Sequence, residues 1–162
     1  MKRILIMLIV VAGAALLVII GIQWARDRSV PDQVRIASLL DRTRVSVERR
    51  DTASIINSLH DDFSAFGNNR EQTRMQLFGW FRQGYRLSLA VTVNDINIQG
   101  ETARVSMKAS GEVRSDSGRI PFSMPAVVTL QRTPARYLLV LPTHTWKITG
   151  LETTLPDELT PQ

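Results

Sequence analysis

The chain of 162 residues contains no cysteine. That absence excludes a disulfide framework, a thiolate nucleophile, a cysteine-ligated zinc and a lipid-modified cysteine. Histidine is nearly as scarce, at two residues, which leaves little material for a transition-metal site. Aromatic side chains make up only 6%. No basic strip interleaved with aromatics is present, so nucleic acid is not an expected partner. A serine-nucleophile elbow, a phosphate-cradling glycine loop and a zinc-protease motif are all missing. There is no internal repeat and no sign of a second domain.

What the chain does have is one long apolar run. Ile4 to Ile22 are nineteen consecutive uncharged residues behind Lys2 and Arg3. As a helix they are ~29 Å long, against a hydrocarbon core of ~30 Å. A soluble core helix would carry a polar stripe, which this segment lacks. A cleavable signal peptide has a shorter apolar stretch and small residues at alternating positions before its cleavage site. Here the exit reads Gly21-Ile-Gln-Trp-Ala25. The expectation is therefore an uncleaved single-pass signal anchor over residues 1–25, with Trp24 at headgroup level. Lys2, Arg3, Trp24, Arg26 and Arg28 are the expected membrane-interface residues. The basic tail argues for a cytoplasmic N-terminus and an extracytoplasmic domain, periplasmic in a Gram-negative cell.

The net charge is +5, of which Lys2 and Arg3 supply two. Much of the remaining excess follows the apolar run: Arg26, Arg28, Arg35, Arg42, Arg44, Arg49 and Arg50. They can face anionic headgroups, but interleaved Asp32, Asp41, Glu48 and Asp51 favour the solvated face of a long helix.

Residues 29–155 read as one α+β domain, followed by a flexible tail at 156–162. Ser29-Val-Pro31-Asp32 is a helix start. That helix is predicted to reach about Arg50, with Ile36, Leu39, Leu40, Thr43 and Val47 inward. Asp51 or Thr52 caps a short helix over Ile55, Ile56 and Leu59, ending at the polar His60-Asp61-Asp62. Asn69 and Gln72 form a capping pair for a third helix carrying Met75, Leu77, Phe78 and Phe81, stopped by Gly84. From there the period becomes alternating. Leu87 to Val93 is a strand that slips at Asn94-Asp95, as a bulge would, and resumes at Ile96. Ala103 to Val113 is a second strand. Ile120 to Gln131 is a third, its Pro121 and Pro125 confined to edges or bulges. Trp146 to Glu152 is the last, with His144 in a loop before it.

Three stretches of this layout resemble the nuclear transport factor 2-like, or SnoaL-like, superfamily. They are Ile55 to Phe63, Asn94 to Ser106 around the Gln99-Gly100 turn, and Thr145 to Glu152. The resemblance implies three helices packed on a curved antiparallel sheet, a cone-shaped cystatin-like fold. It also implies a choice between enzymes (isomerases, dehydratases, cyclases, epoxide hydrolases) and members that only bind or assemble. Isomerase-like members place an acidic base just beyond the second helix. The corresponding Ser64-Ala-Phe-Gly-Asn-Asn69 has no carboxylate.

Site candidates follow from local anomalies. Asp95, at the expected bulge, is the first candidate pocket acid, with Tyr85 or Tyr137 as hydrogen-bond donor. Tyr137-Leu138-Leu139-Val140-Leu141-Pro142 is continuously apolar, consistent with a strand buried on both faces or with an exposed apolar interaction edge at Leu138 to Leu141. No cofactor, metal ligand set or catalytic residue is expected. The leading functional expectation is a membrane-anchored, non-enzymatic interaction or assembly module. Its partners would be the lipid bilayer, other membrane or envelope proteins and further copies of itself. The alternative is a small-molecule-binding protein or enzyme using the cone cavity.

Overall fold

A computed structural model describes residues 30–115, 118–137 and 141–153. The apolar run, the expected interface residues Lys2, Arg3, Trp24, Arg26 and Arg28, and the tail lie outside them. Among the described residues, no helix is long and apolar enough to cross a membrane.

The chain order is α1 (Asp32–Glu48), α2 (Thr52–Ser58), β1 (Leu59–Ala65), β2 (Asn68–Asn69), α3 (Arg70–Arg82), β3 (Arg86–Gln99), β4 (Thr102–Ser115), β5 (Gly118–Tyr137) and β6 (Leu141–Thr153). The strands form one sheet in the order β2-β1-β6-β5-β4-β3. Every pairing is antiparallel except β1 with β6. Because α1 packs against both β3 and β6, three strands apart, the sheet must bend around it.

Local chemistry explains most element boundaries. Asp51 accepts the Ser54 N–H at 3.0 Å and starts α2. Asn69 and Gln72 form a complete capping box that starts α3, each side chain taking the other's backbone N–H at 2.9 Å. Past α3, Gly84 adopts φ 85°, a left-handed conformation that ends the helix with little strain. The first helix differs at its start. Pro31 is its N-cap and supplies no side-chain hydrogen bond, its carbonyl instead accepting from Val34 and Arg35.

The second helix ends earlier than the sequence suggests, and His60-Asp61-Asp62 is strand, not helix exit. Ser58 Oγ donates back to the Ile55 carbonyl at 2.6 Å, and Leu59 turns extended at ψ 144°. Extending the chain here buries Leu59, Phe63 and Ala65 along β6 while the polar residues between them face out. Phe66 and Gly67, both at positive φ, close the tight turn to β2.

The long strands follow the expected alternation, with differences at their ends. The register of β3 on β4 shifts between Val93 and Asp95, so the bulge is present. Strand β5 is longer than expected, at 20 residues. Its prolines fall where it has one neighbour. Pro121 and Pro125 pair only with β4, beyond the end of β6 at Thr153. Pro134 pairs only with β6, beyond the end of β4 at Thr102. A missing N–H is harmless on an edge facing no strand. Tyr137, the last residue of β5, pairs with Leu141, the first of β6, and Leu138 to Val140 between them lie outside the described residues. Gly111 is required: a Cβ there would lie 1.9 Å from the Ser88 carbonyl oxygen.

The core joins Ile36 and Leu40 of α1, Ile56 of α2, and Leu59 and Phe63 of β1 to the inner face of the sheet. That face supplies Val105, Val128, Leu130, Trp146 and Ile148. Helix α3 contributes no fully buried residue. Leu77 packs partly on the core, whereas Met75 and Phe78, expected inward, are 67% and 63% exposed.

Candidate functional site

On the two sides of α1 lie spaces with unlike linings. The inner one is a cavity of about 240 Å³ between α1, the end of α2, α3 and the sheet, walled mainly by aliphatic residues such as Leu40, Val47, Leu59, Val91 and Val128. Its polar side chains are Thr43, Arg44 and Thr73. Each is committed locally: Thr43 Oγ1 to the Leu39 carbonyl, Thr73 Oγ1 to the Asn69 carbonyl, and Arg44 to Asp41 and Glu48. No carboxylate or imidazole lines this cavity.

The second space is a cleft outside the core, between α1 and β6. Its outer end, about 310 Å³, is bounded by Val30, Val34, Arg35, Ser38, Arg42 and His144. A further 540 Å³ continues along α1 past Arg42 to Arg49 and Lys147. Arg35 and Arg42, seven residues apart, share one face of α1, and Arg49 follows at its C-cap.

At the outer end of this cleft a polar cluster fastens the first turn of α1 to the sheet. Trp146 Nε1 donates to Asp32 Oδ1 at 3.0 Å, and His144 Nε2 lies 3.0 Å from the same oxygen. Because a carboxylate only accepts, His144 Nε2 carries a proton. Arg132 pairs with Asp32 Oδ2, and its guanidinium carbon stands 5.2 Å from the Trp146 ring centroid. Burial of Asp32 opposes its charge, but the hydrogen bonds from Trp146 and His144 and the charge of Arg132 outweigh it. The Asp32 carboxyl is thereby held below the usual carboxylate range. Arg35 Nη1 donates to the His144 carbonyl at 3.3 Å, adding a second tie between α1 and β6.

This cluster corrects the reading of His144 as a loop residue: it lies in β6, paired with Pro134. In the sequence Asp32 belongs to a helix start and Trp146 to a strand, and Arg132 carries no local signal. Only the proximity of Asp32 to a helix start was visible in the sequence, since its partners lie 100 to 114 residues away.

Of the named pocket residues, Asp95 and Tyr85 lie among the described side chains, and neither lines the inner cavity. The bulge leaves Asp95 exposed on the outer face, opposite Ser106, because Ile96 and Ile98 resume the inner face. Tyr85 is half-buried against Trp80, ring centroids 6.2 Å apart, and does not line the inner cavity. Tyr137 ends β5 and Leu141 begins β6, but their side chains, with Leu138, Leu139 and Val140, lie outside the described residues. His60 and Asp62 share a close contact of 3.5 Å, while Asp61 pairs with Arg70. Among the described residues, no group of three His, Cys, Asp or Glu side chains could hold a metal ion.

Comparison with solved structures gives the class of domain. A nuclear transport factor 2-like protein from Rhodospirillum rubrum superposes with a TM-score of 0.60 at 16% identity, covering 75% of this chain and 98% of its own. A nuclear transport factor 2-like protein with a cystatin-like fold from Novosphingobium aromaticivorans gives 0.59 at 17% identity, covering 82% and 87%. A ketosteroid isomerase-like protein from Erwinia carotovora atroseptica gives 0.55 at 12% identity, covering 74% and 92%. The domain is therefore an α+β domain with the cystatin-like fold of nuclear transport factor 2-like proteins. At these identities the likeness is one of fold. No family model matches the chain, and no curated protein matches it in sequence.

Proposed function

We propose that the chain is a membrane-anchored, non-enzymatic interaction or assembly module, a subunit or accessory protein of a membrane or envelope complex. Residues 4–22 serve as a single-pass anchor with the N-terminus cytoplasmic and the domain extracytoplasmic. Lys2, Arg3, Trp24, Arg26 and Arg28 mark the interface. The observation that carries this reading is the inner cavity's lack of a titratable group poised for chemistry. Its wall is aliphatic, and its one charged side chain, Arg44, is already paired. Acid–base catalysis needs a group of tuned pKa within reach of the reacting atom. Exposed Met75, Phe78 and Trp80 on α3, with Phe66 beside it, supply apolar surface of the kind partner proteins or a second copy cover.

Full-length chain, extracted in mild detergent from crosslinked membranes, should co-purify with other membrane or envelope proteins. Recovery in the alkaline-soluble fraction would remove the anchor from this reading. A lone monomer would remove the assembly role.

The cavity itself favours one second reading, a carrier of a small apolar molecule. At about 240 Å³ it is smaller than the ~300–1,000 Å³ of typical ligand sites. Native mass spectrometry of the purified chain separates the two: a co-purifying apolar molecule, lost when Val91→Phe fills the cavity, supports the carrier.

A further inference from the structure

The outward face of α3 is complementary to itself. We infer that two copies of this chain associate through α3 in an antiparallel, two-fold contact, with Met75 of one against Phe78 of the other and Glu71 against Arg82. This rests on the assembly reading above and names its partner as a second copy of the chain.

Spacing is the first support. Glu71, Met75, Phe78 and Arg82 follow one another at four, three and four residues, which sets them in one stripe down the helix. All four are exposed. The inward side of α3 is a different one, where Thr73 and Leu77 line the inner cavity. Beside the stripe, a groove of about 590 Å³ between α2 and α3 is lined by Ala53, Ile56, Asn57, Met75 and Phe78. A two-fold contact lets the Phe78 of each copy enter the groove of the other, so both grooves fill at once.

Charge is the second. Glu71 lies in the first turn of α3 and Arg82 in the last. Two stripes laid antiparallel about a point midway between Met75 and Phe78 set each Glu71 opposite the other copy's Arg82. Arg82 makes no hydrogen bond or ion pair with a described residue. Arg74 holds Glu71 through Oε1 alone, which leaves Oε2 open to a second guanidinium. A parallel pair would instead set like charges together at both ends. A lipid surface fits less well, because an interfacial helix lines its apolar stripe with Lys and Arg, whereas Glu71, Gln72 and Gln76 border Met75.

Gly79 is the third. Glycine is a poor residue for a helix interior. A Cβ at Gly79 would meet nothing within 4 Å, so no neighbour within the described chain requires its absence. Next to Phe78, the bare backbone allows a second helix to approach closely. One helix face is smaller than the ~1,600 Å² of a typical stand-alone interface. Two anchored copies share one membrane surface, and that confinement raises their effective concentration.

The test co-expresses two differently tagged full chains and measures how much of one is recovered with the other in mild detergent. Wild-type copies should recover each other. Phe78→Ser in both should cut recovery about tenfold, the effect of losing a central apolar anchor. Gly79→Leu in both should lower recovery while raising the melting temperature, which a merely structural role for the glycine would not do. Glu71→Arg in both copies, or Arg82→Glu in both, should lower recovery about threefold. A Glu71→Arg copy mixed with an Arg82→Glu copy should regain it, because opposite charges then face again at both ends. Melting curves confirm that the variants fold. Wild-type copies that fail to recover each other, recovery unchanged by Phe78→Ser, or a mixed pair no better than either variant alone would each overturn the inference. Copies that separate while other membrane proteins still co-purify sink the pair and leave the assembly reading standing. Alkaline extraction reads the anchor separately.

Discussion

The inner cavity and the outer cleft are separated by one helix, α1, yet they obey opposite rules. Inside, Leu40, Val47, Val91 and Val128 meet, while the hydroxyls of Thr43 and Thr73 turn to backbone carbonyls and Arg44 to Asp41 and Glu48. Outside, Asp32, Arg35, Arg42, Arg132 and His144 assemble donors and charge at the start of the same helix. Dry aliphatic walls gain stability by excluding water, at ~25 cal/mol per Å² of apolar surface buried. A charged cleft stays wet and can afford ions. The polar side chains that converge lie outside the core, where the first turn of α1 meets β6.

Exchanging the two environments should give the largest effect. Val128 is 2% exposed and lines the cavity. Val128→Asp buries a carboxylate with no partner, and more than about 4 kcal/mol should be lost, enough to unfold the domain at neutral pH. The same new charge in the cleft, Ser38→Asp, gains Arg35 and Arg42 as neighbours at i−3 and i+4 and should change stability by under ~0.5 kcal/mol. Thermal melts of the two variants decide it. Comparable losses would mean that the inner cavity is wetter than its lining implies.

Removing the charge at Asp32 comes next. Asp32→Asn breaks the pair with Arg132, leaving that partly buried guanidinium, whose Nε already lacks a partner, without its counter-charge. A loss of roughly 2–4 kcal/mol at pH 7 is expected. The pH dependence has a fixed sign. Because the folded Asp32 carboxyl is held below its ordinary value of ~3.9, its contribution is fully present above that value and disappears as pH falls through the folded value. Urea unfolding of wild type and Asp32→Asn should therefore differ most near neutrality and converge in acid. A gap that stays constant down to pH 2 would show that packing, not charge, holds the turn. Trp146→Phe keeps a ring under Arg132 but removes the donor to Asp32 Oδ1 and leaves a void in the core, where Trp146 is 2% exposed, so about 2–4 kcal/mol should be lost in the same measurement.

The contrast between the two spaces also explains what the sequence could reveal. Devices closed within three or four residues are legible: the Asn69–Gln72 capping box, the Asp51 cap, the Gly84 stop and the slip at Asn94-Asp95 all stand where the local pattern puts them. The aliphatic wall is legible too, because alternation from Leu87 to Val113 sorts residues by face. Strand β1 was hidden because His60-Asp61-Asp62 has no strand propensity of its own. It is extended because Leu59 pairs with Ile148 across 89 positions of chain. The Asp32 cluster was hidden for the same reason: its members lie 100 to 114 positions from Asp32, and only tertiary packing unites them. Asp95 and Tyr85 stood out locally, but a bulge marks where a strand bends, not which side its carboxylate faces.

Smaller effects sharpen the difference between buried and unpartnered faces. Asn69→Ala removes half of the capping box and should cost about 1 kcal/mol, because the Gln72 N–H then loses its protein acceptor. The least change is expected at Phe78. A core phenylalanine costs about 3–5 kcal/mol when truncated. Phe78 is 63% exposed on a helix with no fully buried residue, so Phe78→Ser should shift the melting free energy of the isolated chain by under ~0.5 kcal/mol. The same substitution should matter where a partner covers the α3 face. If Phe78→Ser leaves stability alone but releases co-purifying proteins from the detergent extract, the face is a docking surface. If it costs several kcal/mol in the isolated chain, Phe78 is part of a core, and the apolar surface invoked for assembly must be sought elsewhere on the domain.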